Sequence, residues 1–193
     1  MTTTAVPPAA PVGRALRGDA ARNRERVLAA AREVFSSEGG DAQMEQIAKR
    51  ACVGVGTLYR NFPTKQALLA ELGRQFLDER IALVEEAIAD PDPAAAFERL
   101  LRRTAADMSA NAGLCHVLGD LQVDQVCPGA FLPLVHRTAV LLDRVRPTGA
   151  IRPDLTVDDF QAIMVGLSAA LSTTSNWELF ADMVIAGMRA PRD

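Results

Sequence analysis

The sequence is poor in aromatic residues, which make up 5% of its 193 positions, with a single Trp and a single Tyr. That scarcity, beside 49% hydrophobic content carried largely by Ala and Leu, disfavours sheet and favours helices. Cysteine is scarce too. Cys52, Cys115 and Cys127 are odd in number and follow no repeating spacing, so a disulfide framework is excluded as the organising device. No apolar run reaches the length needed to span a bilayer, and no charged-then-apolar leader opens the chain, which sets a cytoplasmic expectation. The chain also lacks a recognisable catalytic constellation. Neither His116 nor His136 sits in a triad motif, and Gly54-Val-Gly56 lacks the third glycine and the preceding strand of a dinucleotide loop. Cys115 and the two histidines make an incomplete ligand set, so neither a metal nor another cofactor is expected.

Positive charge is in deficit overall, with a net charge of −3, yet it is unevenly placed. Residues 14–65 hold ten basic and six acidic side chains, whereas residues 66–193 hold eleven and eighteen. A basic end on an acidic body suits a protein of which one end touches a polyanion.

The basic end contains the most informative stretch, Met44 to Lys65. Met44, Ile47, Ala48 and Ala51 recur at helical spacing; Cys52-Val53-Gly54 interrupts; Val55 to Phe62 forms a second short helix that Pro63 stops. Two short helices across a tight turn make a helix-turn-helix, whose second helix enters a major groove. Leu58 and Phe62, four apart, anchor that helix inward, leaving Thr57, Tyr59, Arg60 and Asn61 to face outward.

Ile47-Ala48, Ala51, Val53, Gly56-Thr57-Leu58-Tyr59, Phe62-Pro63 and Lys65 resemble the DNA-binding signature of the TetR family of bacterial transcriptional regulators. The likeness extends upstream from Arg24 to Gly40; beyond residue 65 only the helical layout is similar. The resemblance implies an all-α protein with about nine helices. A three-helix head (residues 19–65) would follow a disordered tail (1–18) and precede a ligand-binding and dimerisation body (66–193). It implies double-stranded operator DNA as partner, with Tyr59 and Lys65 at positions that contact the DNA backbone; on the helix itself Arg60, with Val55, Gly56 and Thr57, is better placed at the base edges, and Gly54 and Asn61 complete the candidate DNA-binding set. Two positions depart from the family pattern. Ala42 and Gln43 stand where Thr or Ser usually caps the second helix, so Asp41 is the expected cap. The turn position usually held by Gly is Cys52, where a positive φ would cost a non-glycine residue about 1 kcal/mol; its thiol is expected to be buried and inert, a reactive redox-sensing thiol being the alternative.

Upstream, Asp19 is placed to cap a helix running to Glu38. Arg22, Arg24 and Arg26 would then crowd its first turns against the helix dipole, a placement that suits either nearby phosphates or a solvated face. Arg14 and Arg17 fit either a minor-groove arm or a solvated tail. Downstream, Lys65 opens a long helix to Ala89. Asp92-Pro93 starts the next, a short helix spans Leu114 to Gln122 before Cys127-Pro128-Gly129, and another runs from Leu132 to Arg146. Thr156 to Asp159 reads as a capping box, and Ser175 to Glu178 opens the last helix. By resemblance, the last two helices supply a homodimer interface. Gly166, Ala169 and Ala170 on one and Trp177, Phe180, Val184 and Met188 on the other are its candidates. Candidate lining for a small-molecule pocket comprises Phe97, Leu101, Met108, Cys115, Leu118, Phe131 and His136, a set suited to an apolar or amphipathic effector. Ordinary core packing is the alternative reading of every one of these residues, and a DNA-binding regulator without any ligand remains open at this point.

Overall fold

The computed structural model describes residues 12–120 and 129–190, with side chains from Asp19 onward. It contains nine α-helices and no strand among the described residues, in agreement with the all-α expectation. They are α1 (Val12–Glu38), α2 (Met44–Arg50), α3 (Val55–Asn61), α4 (Lys65–Ala89), α5 (Pro93–Ala110), α6 (Ala112–Asp120), α7 (Leu132–Val145), α8 (Val157–Leu171) and α9 (Trp177–Met188). Among the described residues, no helix is long and apolar enough to cross a membrane.

Several helix starts obey local chemistry. The Asp92 carboxylate accepts from the Ala95 amide at 3.1 Å and Pro93 occupies the first turn of α5, where its missing N–H costs nothing. Thr156 and Asp159 exchange hydrogen bonds at 3.1 Å in both directions and open α8. Thr64 caps α4 by accepting from Ala67 at 3.0 Å. At α2 the cap is Gln43 rather than Asp41. The Gln43 amide donates to the Gln46 side chain at 2.8 Å, while Asp41 closes a 3-10 turn that begins at Gly39. Ala42 is fully buried between them.

The first helix begins seven residues before Asp19, so residues 12–18 are helical; residues 1–11 of the expected tail lie outside the described residues. The longer helix moves Arg22, Arg24 and Arg26 out of the first turn and removes the conflict with the dipole. Local partners hold them instead. Arg22 pairs with Asp19 at 2.5 Å, Arg26 donates to Asn23, and Arg24 reaches Glu71 at 3.1 Å while stacking over Phe62.

Two apolar cores run along α4. One contains Val27, Ala31 and Phe35 of α1, Ile47 of α2, Leu58 of α3 and Leu68, Leu69 and Leu72 from the first half of α4. It also contains Leu114, Val117 and Leu118 of α6, so a body helix completes the core of the head. The seating is tight. An added Cβ at Gly113 would lie 2.6 Å from the carbonyl oxygens of both Phe35 and Ser36, a separation no side chain tolerates. The second core gathers the far half of α4 with α5, α7, α8 and α9.

Candidate functional site

The turn between α2 and α3 carries the cost anticipated for it: Cys52 has φ +53°, the sole positive φ among the described non-glycine residues. The Cys52 amide donates to the Lys49 carbonyl at 3.1 Å and the Val53 amide to Ala48 at 3.0 Å, which fixes the reversal. The Cys52 side chain is exposed, contrary to the buried thiol expected, because a left-handed residue at the apex of a turn directs its Cβ away from the two helices it joins.

Gly54 precedes α3 in an extended conformation, and its carbonyl accepts from Thr57 at 2.8 Å and Leu58 at 3.1 Å. Leu58 and Phe62 are buried in the head core. The opposite face presents Val55, Gly56, Tyr59 and Arg60 to solvent. A methyl group at Gly54 or Gly56 would meet no described atom within 4 Å. Glycine inside a helix costs about 0.5–1 kcal/mol relative to alanine. No contact within the described chain requires Gly56, which leaves the backbone of α3 uncovered at this point.

The polar groups around this face are held in place. Arg60 Nη2 donates to Thr57 Oγ1 at 2.9 Å, which lays the guanidinium along the helix. The Tyr59 hydroxyl sits 3.5 Å from Glu45 Oε1 on α2. Asn61 is half-buried and turns back, its Nδ2 donating to the Thr57 carbonyl at 2.8 Å, so it serves the end of its own helix and is not displayed as the sequence suggests. Lys65 Nζ donates to the Gly40 carbonyl at 2.6 Å and lies 5.5 Å from the Phe35 ring centre. Its ammonium is thereby fixed where the end of α1 meets the start of α4.

The body contains a cavity of about 360 Å³ among α4 to α8. Leu101, Met108, Cys115, Leu118 and Phe131 line it, as the sequence proposes. Phe97 and His136 do not. Phe97 packs ring to ring on Phe160 at 6.0 Å, within the core beyond the cavity, and His136 is exposed because the inward face of α7 runs through Leu134, Thr138 and Leu141. Burial pushes the Cys115 thiol pKa up, so it stays protonated, an inert part of the wall. The sequence reading missed Arg80, which lines the cavity from α4. Its signal was available: a charged residue four positions after Phe76 and four before Val84, on the apolar stripe.

At the far end, α8 and α9 show an outward apolar face, while the α9 residues proposed from the sequence lie toward the body core. Met188 is 2% exposed, and Trp177, Phe180 and Val184 lean on the body core. The outward face is instead Val165, Leu179 and Met183, at 71%, 50% and 61% exposure. Gly166 and Ala169 are exposed beside them, with Ala170 half-buried. Because α9 is apolar on both faces, its periodicity fits either orientation.

Residues 27–72 match the family described as "Bacterial regulatory proteins, tetR family", and residues 92–190 match "Transcriptional regulator SbtR-like, C-terminal domain". The fold is similar to a TetR transcription regulatory protein from Mycobacterium vanbaalenii, at 31% identity and a TM-score of 0.68, covering 91% of this chain and 99% of that one. It is also similar to the TetR regulator SCO0520 from Streptomyces coelicolor, at 32% identity and a TM-score of 0.64, covering 88% and 99% of the two chains. Among curated proteins, the HTH-type transcriptional repressor KstR of Mycobacterium tuberculosis is 43% identical over 79 residues, 40% of this chain. That match spans 34% of the relative's length. The exposed face of α3 and the matches along both head and body converge: the chain belongs to the TetR family of DNA-binding transcriptional regulators.

Proposed function

We propose that this chain is a homodimeric repressor that occupies a palindromic operator through two copies of α3 and is released by a small apolar or amphipathic effector. Residues 19–65 act as the reading head and residues 66–193 as the ligand-binding and dimerisation body. One observation carries the link between them. Helix α6 puts Leu114 and Val117 into the core of the head while Cys115 and Leu118 form part of the cavity wall. A ligand that moves α6 therefore cannot leave the head where it was. Coupling of about 1–3 kcal/mol lowers operator affinity roughly 5- to 150-fold.

Within the head, Arg60, with the exposed Val55 and Gly56 and the half-buried Thr57, reads base edges, whereas Tyr59 and Lys65 anchor phosphates. Arg can bridge a guanine with two hydrogen bonds, and breaking its 2.9 Å bond to Thr57 releases the fork for that purpose. Arg60→Ala is expected to relax base choice at one position, costing about 1–3 kcal/mol there. Lys65→Ala should weaken all sequences alike and lower the salt slope by about one unit per half-site. Salt titrations of both variants on selected and scrambled duplexes check this; equal losses and equal slopes would reverse the assignment.

The cavity supports the ligand half of the reading, and Met108 tests it. A Met108→Trp variant fills the space from α5 and is expected to bind DNA as the wild type does while losing release by effectors. Fluorescence anisotropy on a labelled operator, titrated with a panel of amphipathic compounds, measures both properties. Unaltered release by every active compound would remove the cavity from the mechanism.

A further inference from the structure

Resting on the reading of the cavity as an effector site, the geometry points to the chemical class of that effector: we infer an amphipathic monoanion, an apolar body bearing one carboxylate that pairs with Arg80. The cavity walls are apolar almost throughout, with Phe76, Leu101, Met108, Leu118, Leu134 and Met164 contributing. Arg80 is the one charged residue among the described lining, and it is 7% exposed. Its guanidinium carbon stands 4.7 Å from the Phe76 ring centre, an arrangement that uses the face of the cation but none of its in-plane N–H donors. Nη2 lies 3.5 Å from Asp107 Oδ2, beyond a good charge-assisted hydrogen bond, and the Asp107 side chain is 46% exposed to competing water. Nε and Nη1 are buried and have no hydrogen-bond partner among the described residues.

Burial lowers the Arg80 pKa while Asp107 opposes the shift, but a guanidinium titrates so far above neutrality that the charge persists. As a packing element this residue is a poor choice. An apolar side chain of similar size would fill the same space without burying a cation whose donors are unmet. A ligand carboxylate supplies what the protein does not: acceptor oxygens for Nε or Nη1 and a full negative charge in a place that water reaches poorly. The surrounding Phe, Leu and Met surfaces take the apolar remainder of the molecule.

Calorimetric titration of the full-length protein with decanoate, decanamide and decylamine, and with the biphenyl carboxylate, amide and amine, tests the assignment. For each skeleton the carboxylate is expected to bind at least tenfold more tightly than the amide, and the amine more weakly than either. Arg80→Met should bring carboxylate binding down to that of the amide without weakening the amide. Asp107→Asn, which removes the competing anion and leaves the guanidinium in place, should tighten carboxylate binding several-fold. Amides that bind as well as carboxylates, or carboxylate affinity indifferent to both substitutions, would overturn the anion assignment and leave the effector site standing. Failure of every member of both skeletons to bind at millimolar concentration would overturn the effector site as well.

Discussion

A Val165→Asp, Met183→Asp double variant is expected to sediment as a monomer and to lose about 100- to 10,000-fold in operator affinity, with helix content nearly unchanged. The size of the effect follows from linkage. One head contacts few bases, and the second binds at the effective concentration that dimerisation provides. The choice of residues follows from exposure. Val165 and Met183 turn their side chains outward from α8 and α9, so an aspartate at either position rests comfortably in water in a monomer. Between two copies the same carboxylates would be buried without partners, at a cost that a dimer cannot absorb. Trp177→Asp is the informative contrast. Trp177 packs on the body core, so its loss should lower stability before it changes association. Sedimentation velocity at micromolar concentration distinguishes the two cases. A wild type that is monomeric there, or a double variant that stays dimeric, contradicts the interface.

Replacing Gly113 by alanine should destabilise the protein by about 2–3 kcal/mol, in the range seen for overpacked cores. For a chain of this size that lowers Tm by roughly 4–12 °C. The new methyl would sit 2.6 Å from two backbone oxygens of α1, and backbone oxygens cannot swing aside as a long side chain can. Helix α6 must therefore lift from α1. The neighbouring contact between Ser36 Oγ and Asn111 Oδ1, at 3.1 Å, should be strained with it. Since Leu114 and Val117 belong to the head core, the shift should also loosen the head, and operator affinity should fall even where the protein remains folded. Gly119→Ala on the same helix provides the control, because a Cβ there meets no described atom within 4 Å. Differential scanning calorimetry on the pair measures the difference. Equal Tm values for both variants would mean that α6 is not seated against α1 as described.

What was legible in the sequence was what local chemistry decides. Asp92-Pro93 and Thr156 to Asp159 announce helix starts because capping is satisfied within four residues. The α2–α3 pair is legible because two buried anchors, Leu58 and Phe62, recur at helical spacing between a glycine and a proline. What was not legible depends on distant partners. Nothing in the Ala- and Gly-containing run before Asp19 distinguishes helix from coil. The orientation of α9 is hidden because Trp177, Phe180 and Val184 compete with Leu179 and Met183, and only the position of the body core chooses between them. Gly113 reads as an ordinary helix-weakening glycine until α1 is laid across it. Arg80 lies between. Its position on an apolar stripe was visible, but its unmet donors become apparent only once Phe76 and Asp107 are placed around it.

The central claim, that two copies of α3 read a two-fold DNA site, is tested most directly by selecting bound duplexes from a random-sequence library with the wild-type protein. Enrichment of one inverted repeat is expected, with half-site centres separated by about one helical turn or a small multiple of it. Repeating the selection with Arg60→Ala should relax one symmetry-related pair of positions and leave the spacing unchanged. Enrichment of a sequence without two-fold symmetry, or no enrichment over the input library, would contradict the claim.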